Sequence, residues 1–336
     1  MKFKTINLQL FANHVNVTTD ATTGNNLSAE MKTFYDMTLI DEASANLVHD
    51  QFGQKRPIPQ GGGKTIEFRK FSPLAKATTP LTEGVTPDGK TLDVTAITAT
   101  VAQYGDYITQ SDVLELTALD NTILEATKLL GRQAGATLDT ITRNVLNAGT
   151  NVSYAPKVSG GVETAVGSRA DLDETAQLTV KVIQKVVAKL RGQNAPTING
   201  KYVAIAHPYV IYSLMRDPEW IDAHKYANPT NLYEGEVGEI AGVRFVQTTE
   251  AKVWKQGTHA IFSTLVIGEG AYGVTEITGG GLQTIVKQKG SAGTADPLDQ
   301  RSSVGWKAIK TAELLIPNYL VRIESCVADF DNTAAN

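Results

Sequence analysis

Three stretches of the 336-residue chain carry residue types at spacings that could do chemistry. VIGEGAYG, Val266 to Gly273, ends an apolar run in glycines spaced G-x-G-x-x-G. In a dinucleotide-binding enzyme such glycines close a tight turn, let the backbone approach a pyrophosphate and open the helix that receives it. QGGGKT, Gln60 to Thr65, has the glycines and lysine of a phosphate-cradling loop. DPLDQR places the carboxylates of Asp296 and Asp299 close enough in sequence to suggest paired acid and base work.

The surroundings argue against each. After Gly273 the chain runs VTEITGGGLQTIVKQ, β-branched and interrupted by Gly279 to Gly281, where the fingerprint demands a helix. Gly268, Gly270 and Gly273 therefore read as turn glycines in a strand, bend and strand. The phosphate-loop pattern needs a glycine at position 58, which is Ile58, and a strand follows instead of a helix. Gly61, Gly62 and Gly63 read instead as a hinge. Pro297 and Arg301 make DPLDQR a turn stabilised by its own side chains. His14, His49, His207, His224 and His259 are scattered, with no pair at metal-ligand spacing on one helix. Asp222 and His224, near Trp220, read as a solvated helix end. Cys326 is the sole cysteine, so it forms neither an intrachain disulfide nor a thiolate metal site alone, and reads as a small buried or half-buried side chain. No catalytic, cofactor-binding or metal residue is expected.

The elements that would position any site come next. A formal charge of -4 argues against a dedicated nucleic-acid binder, and no apolar run is long enough for a membrane span. MKFKTINLQLFANHVNVTTD is interrupted by Asn7 and Gln9 and lacks a small-residue cleavage site, so it reads as a flexible arm and not as a signal peptide. From Ser28, a capping residue, Met31, Phe34 or Tyr35, Leu39, Ala43 and Leu47 follow helical spacing, ended by Gly53. KTIEFRKFS, Lys64 to Ser72, and the Thr, Val, Ile and Tyr-rich run Thr91 to Asp112 predict strands. Between them PLAKATTPLTEGVTPDGK has few large apolar residues. The whole predicts a long two-stranded arm, which is marginal alone in water and needs a surface to lie on, most simply another copy of the chain.

From Leu119 the apolar positions step by three and four through Val145, predicting one helix over Asn121 to Leu146, with Asp120 as cap and Gly149 beyond its end. Gly131 and Gly135 share a face of it and read as a place where another backbone crosses closely, or as a flexing point. From Asp171 the pattern turns α/β: a helix closed by Gly192, the buried strand KYVAIAH, a helix opening at Pro208 and interrupted at Asp217 and Pro218, then further strands.

This order of parts resembles the tailed-bacteriophage major capsid protein family, with its Hong Kong 97-like fold. NLQLFA, LVHDQFGQKRPIPQGGGKTIEFRKFSPL, LTEGVTPDG, QYGDYITQSD and DPLDQRSSVGWKA are similar to the branch that includes the phage N-four coat protein. The resemblance implies an α+β fold with an N-terminal arm (1–27), an amphipathic helix region (28–54), an extended β-hairpin E-loop (55–112) and a spine helix opening the peripheral domain (113–170). An α/β axial domain (171–277), peripheral return strands (278–325) and a C-terminal tail (326–336) follow. It implies a non-enzymatic coat subunit that associates with itself into pentamers and hexamers, forming an icosahedral shell in the virion after assembly in the host cytoplasm. Portal and possible scaffold or decoration proteins are the implied partners. The shell would enclose double-stranded DNA without sequence-specific binding, and mild acidity suits that, because strong phosphate contacts would oppose packaging and ejection. No cofactor, membrane or covalent crosslink is expected, Lys76 and Lys90 being mere guesses for the last. The assembly residues implied are the E-loop tip Leu81, Thr82, Glu83 and Gly84, the hinge Gly61, Gly62 and Gly63, and the helix contact at Gly131 and Gly135. The rival readings are a soluble α/β nucleotide-binding enzyme and a cell-surface protein.

Overall fold

The computed structural model describes residues 19–20, 26–27, 37, 39–40, 42–43, 47–71, 74–81, 83–86, 88–117, 122–225, 238–276, 278–291 and 296–336. Short strands β1 (Thr19–Asp20) and β2 (Asn26–Leu27) precede helical residues within 37–43, termed α1. Then come β3 (Gln54–Lys55), β4 (Thr65–Phe71), β5 (Val94–Thr100), β6 (Ala102–Ser111), α2 (Asp112–Thr117) and α3 (Thr122–Asn147). An α/β stretch follows, with β7 (Val152–Tyr154), β8 (Lys157–Ser159), β9 (Val162–Thr164), α4 (Val180–Gly192), β10 (Tyr202–Ala206), α5 (Pro208–Met215) and α6 (Pro218–Lys225). The last strands are β11 (Glu239–Ile240), β12 (Val243–Gln247), β13 (Val253–Gln256), β14 (His259–Ile267), β15 (Tyr272–Glu276), β16 (Gln283–Lys287), β17 (Arg301–Leu314) and β18 (Leu320–Cys326).

Helix α3 lies within one residue of its expected bounds, because Ala126, Leu130, Ala134, Leu138 and Leu146 bury one face at helical spacing. At 26 residues it is about 39 Å long. The expected caps Ser28 and Asp120, and the expected helical-spacing positions Met31 and Phe34, lie outside the described residues.

The chain divides into two compact units, the first formed by Met1–Ala45, Tyr104–Gly135 and Leu282–Ala308, the second by Asn46–Gln103, Ala136–Gly281 and Ile309–Asn336. In the second, one sheet has the order β11-β12-β10-β14-β18-β7, with β13 also on β14. Strand β10 runs parallel to β12 and antiparallel to β14, which is antiparallel to β18. Every residue of β10 and β18 is buried, since the sheet is covered on both faces. On one face α4, α5 and Trp220 pack over Tyr202, Ala204, Phe262 and Ile323; on the other Leu146 and Tyr272 meet Val203, Ile205, Leu265 and Leu320. Asp217 joins the helices on the first face, accepting from the Val180 N–H that opens α4 and the Glu219 N–H near the start of α6.

In the first unit β16 runs antiparallel to 303–307 of β17, and β6 also pairs with β17. Two expectations divide differently. The single β-run over Thr91 to Asp112 splits at buried Val101, whose N–H donates to the Lys64 carbonyl; β5 pairs with β4, whereas β6 joins β17. The segment 278–325 does not stay with one sheet: β18 pairs with β14 and β7 in the seven-stranded sheet and is buried there, its Arg322 and Glu324 paired with each other.

Candidate assembly surface

Strands β4 and β5 form an antiparallel ribbon whose register runs from Thr65 opposite Thr100 to Phe71 opposite Val94. Among the described residues its packing is at the base. Phe68 and Ala99 are buried with Leu315, and Ile66, Ile97 and Ile316 close around them. The Phe68 ring lies where a side chain of residue 273 would be: a Cβ on Gly273 would come within 2.8 Å of it. The third glycine of VIGEGAYG is thus required by a ring and not by a pyrophosphate, and β15 follows where a nucleotide site would need a helix. Gly270, with φ of 72°, makes the turn from β14, and Gly268 lies beneath the Pro196 carbonyl, 2.9 Å from where its Cβ would be.

Beyond the ribbon every described residue from 74 to 93 is exposed, including Leu74, Leu81, Val85 and Leu92. Leu81 is 77% exposed and Val85 63%. Between them Glu83 and Gly84 form a turn, Gly84 with φ of 78°. Thr82 lies outside the described residues. At the ribbon's other end Gly61 and Gly63 have φ of 81° and 87°, the left-handed region that favours glycine, and Gly62 donates to the Pro59 carbonyl.

The chain just before β3 is tied down by buried polar groups, which sequence reasoning missed. Asp139 of α3 accepts from the backbone N–H of Val48 at 2.9 Å and of His49 at 2.7 Å, and its other oxygen lies 2.7 Å from His49 Nδ1. Thr142 donates to Asp50 at 2.6 Å. Lys310 pairs with the same carboxylate and donates to the Leu138 carbonyl. Tyr272 donates to the His49 carbonyl, and burial holds its phenol pKa well above the usual range. Arg322 donates to the Asn147 and Gly149 carbonyls at the C-terminal end of α3, where a cation is favoured. Residue type gave no signal here, because each partner lies about ninety or more positions away.

The remaining expected residues have local roles. An added Cβ at Gly131 would lie 2.9 Å from the Leu39 carbonyl oxygen and 3.0 Å from Glu42 Cβ, so α1 backbone crosses α3 there. Arg132 beside it pairs with Glu42. Asp296 accepts from the Arg301 N–H at 2.8 Å and its carbonyl from the Asp299 N–H, a turn held by its own side chain. His207 caps α5 through Nδ1, accepting from the Tyr209 N–H, and burial lowers its pKa. His259 pairs with Asp331, Asp222 lies exposed in α6, and His14 and the His224 side chain lie outside the described residues. Burial, with Asp331 and Asp173 nearby, pushes the Cys326 thiol up to about 12. Among the described residues no cluster of His, Cys, Asp or Glu could hold a metal ion.

A family model described as phage capsid protein matches residues 3–288. The fold is similar to the capsid of Ralstonia phage GP4, with a TM-score of 0.63 at 13% identity over 84% of this chain and 89% of that one. It is similar to the capsid of cyanophage P-SCSP1u, with a TM-score of 0.62 at 14% identity, covering 81% of this chain and 86% of that one. The cyanophage Pam1 capsid subunit also scores 0.62, at 12% identity, over 93% of this chain and 99% of that one. No curated protein matches.

Proposed function

The chain belongs to the phage capsid protein family, and we propose that it is the shell subunit of a tailed double-stranded DNA bacteriophage, with the Hong Kong 97-like arrangement of E-loop, spine helix, peripheral and axial domains. On this reading β4, β5 and their loop are the E-loop, α3 is the spine helix, and the seven-stranded sheet with α4 to α6 forms the axial domain. Copies meet around their axial domains in pentamers and hexamers, and each E-loop lies across a neighbour. The observation that carries it is the ribbon, anchored at Phe68 yet exposed at every described position of its loop, with four large apolar side chains uncovered. Such a ribbon is marginal in water and gains a packing surface from another subunit. Because every subunit is held through several interfaces at once, modest contacts add up to a closed wall.

Gly61 to Gly63 serve as the hinge on which the E-loop changes angle as the shell matures, and Leu81 to Gly84 as its contacting tip. Portal, scaffold and decoration proteins are the partners such a shell would have. The experiment is expression in a bacterial host, alone and with the neighbouring phage genes, followed by light scattering and negative-stain electron microscopy. Closed shells, tubes, or rings of five or six copies are expected. A small compact oligomer under both conditions would overturn the reading.

A further inference from the structure

Among the described residues β13 pairs with β14 alone, so one edge of the β13–β14 hairpin has no strand beside it. In an antiparallel pair, alternate residues turn their backbone groups away from the partner strand. Lys252 accepts from the Ser263 N–H of β14, and the next residue, Val253, turns outward. Its N–H donates to Asn336 Oδ1 at 2.9 Å, and its carbonyl accepts from the Asn336 N–H at 3.3 Å. The Asn336 amide also donates to the Ala251 carbonyl at 3.0 Å, and Lys252 donates to the Asn336 carbonyl. One asparagine thus supplies the donors and the acceptor that a neighbouring strand would bring.

The same segment closes the opposite edge of the hairpin. Ala260 lies just past the end of β18, whose last residue Cys326 pairs with Ile261. The Ala260 N–H donates to Asp331 Oδ1 at 3.0 Å, and Asp331 Oδ2 lies 2.7 Å from His259 Nδ1. Lys255 reaches the Asp331 carbonyl at 3.0 Å. Phe330 beside it stacks on Tyr209 of α5, with ring centroids 3.9 Å apart, and meets Tyr212 edge-on. Residues 328–336 therefore cross the hairpin from the β18 side to the outer edge of β13. Asn336 is exposed and Phe330 and Asp331 are half-buried, so the segment can lift while the core stays packed. We infer that residues 328–336 are a removable strap that keeps the β13 edge from pairing with the same edge of a second copy. An open strand edge is a template for pairing, and two identical edges satisfy each other about a twofold axis. With the strap seated, copies of the chain meet only through other surfaces.

The test uses the full chain. Native hydrogen exchange, read amide by amide on the unassembled subunit, reports each anchor: Asn336→Ala is expected to speed exchange at Val253, and Asp331→Ala at Ala260, at least about tenfold. Exchange unchanged at both amides would show that the segment is not a strap. The triple variant Phe330→Ala, Asp331→Ala, Asn336→Ala frees it. Sedimentation velocity and electron microscopy are then expected to show dimers and larger irregular particles, at concentrations where the wild type gives none. Lys255, two positions after Val253, is exposed and turns its N–H to the same edge. Adding Lys255→Pro removes that donor without touching the β14 ladder and is expected to restore wild-type behaviour. A triple variant as dispersed as the wild type would overturn the guard. Association that survives the proline would overturn the edge as its surface, and would also be the result if the variant merely misfolded. The inference stands apart from the shell reading, which the assembly of the wild-type chain tests.

Discussion

Asp139 receives His49 twice, from the backbone N–H at 2.7 Å and at the ring Nδ1 at 2.7 Å, across 90 residues of chain and with both side chains buried. The pair fastens the turn before β3, and so the approach to the β4–β5 ribbon, to α3. Replacing Asp139 by alanine strands the part-buried donor of Val48 and the buried donors of His49 and is expected to cost about 3–5 kcal/mol. Urea unfolding of the unassembled subunit measures it; a loss below about 1 kcal/mol would show that the pair is not an anchor.

His207 predicts an acid-sensitive stability. Burial lowers its pKa in the folded chain, so the unfolded chain binds the proton first. The contribution is complete above the ordinary histidine value of about 6.5 and is lost as pH falls through the lowered folded value. Protonating Nδ1 would also remove the acceptor that caps α5. His207→Asn keeps a capping acceptor without the titration. Unfolding midpoints measured between pH 7 and 5 should fall less steeply in this variant, and equal slopes would exclude His207 as the cause.

Gly131 predicts a substitution whose two effects oppose. Alanine there gains about 1 kcal/mol of helix propensity. Its Cβ, however, would meet the Leu39 carbonyl at 2.9 Å, and backbone yields less readily than a side chain. Overpacking of this kind costs about 1–3 kcal/mol, so Gly131→Ala should be neutral to destabilising in thermal unfolding. A clear rise in melting temperature would mean that α1 does not press on α3.

The Cys326 thiol, fully buried and raised to about 12, should resist alkylation at pH 8 in the native subunit and react once unfolded. Mass spectrometry after a short iodoacetamide pulse distinguishes the two, and rapid native labelling would contradict the burial.

Alanine at Gly61 and Gly63 costs about 1–2 kcal/mol at each positive φ. If these residues are the maturation hinge, shells should still assemble but stall before expansion, seen as an unchanged diameter in electron micrographs. Expansion at the normal rate would remove the hinge role.

Much of the chain was readable because the signals were local. The three-and-four stepping from Leu119 to Val145 located α3, and Asp217 followed by Pro218 marked the break between α5 and α6. The β-branched run after Gly273 was sufficient to dismiss a nucleotide fingerprint, and β15 lies there. Neither the division at Val101 nor the placement of β18 had such a signal, since β-propensity identifies a strand without naming its neighbour.

The sequence by itself determined the kinds of elements, their order and the uncovered ribbon, because periodicity, turn residues and scarcity of apolar side chains act over a few positions. Tertiary structure alone decided which groups meet: Asp50 with Lys310, 260 residues on, Asp139 with His49, and the Phe68 ring over Gly273. The physical reason is that a buried charge needs a partner and a ring needs space, and both can be supplied from anywhere along a folded chain.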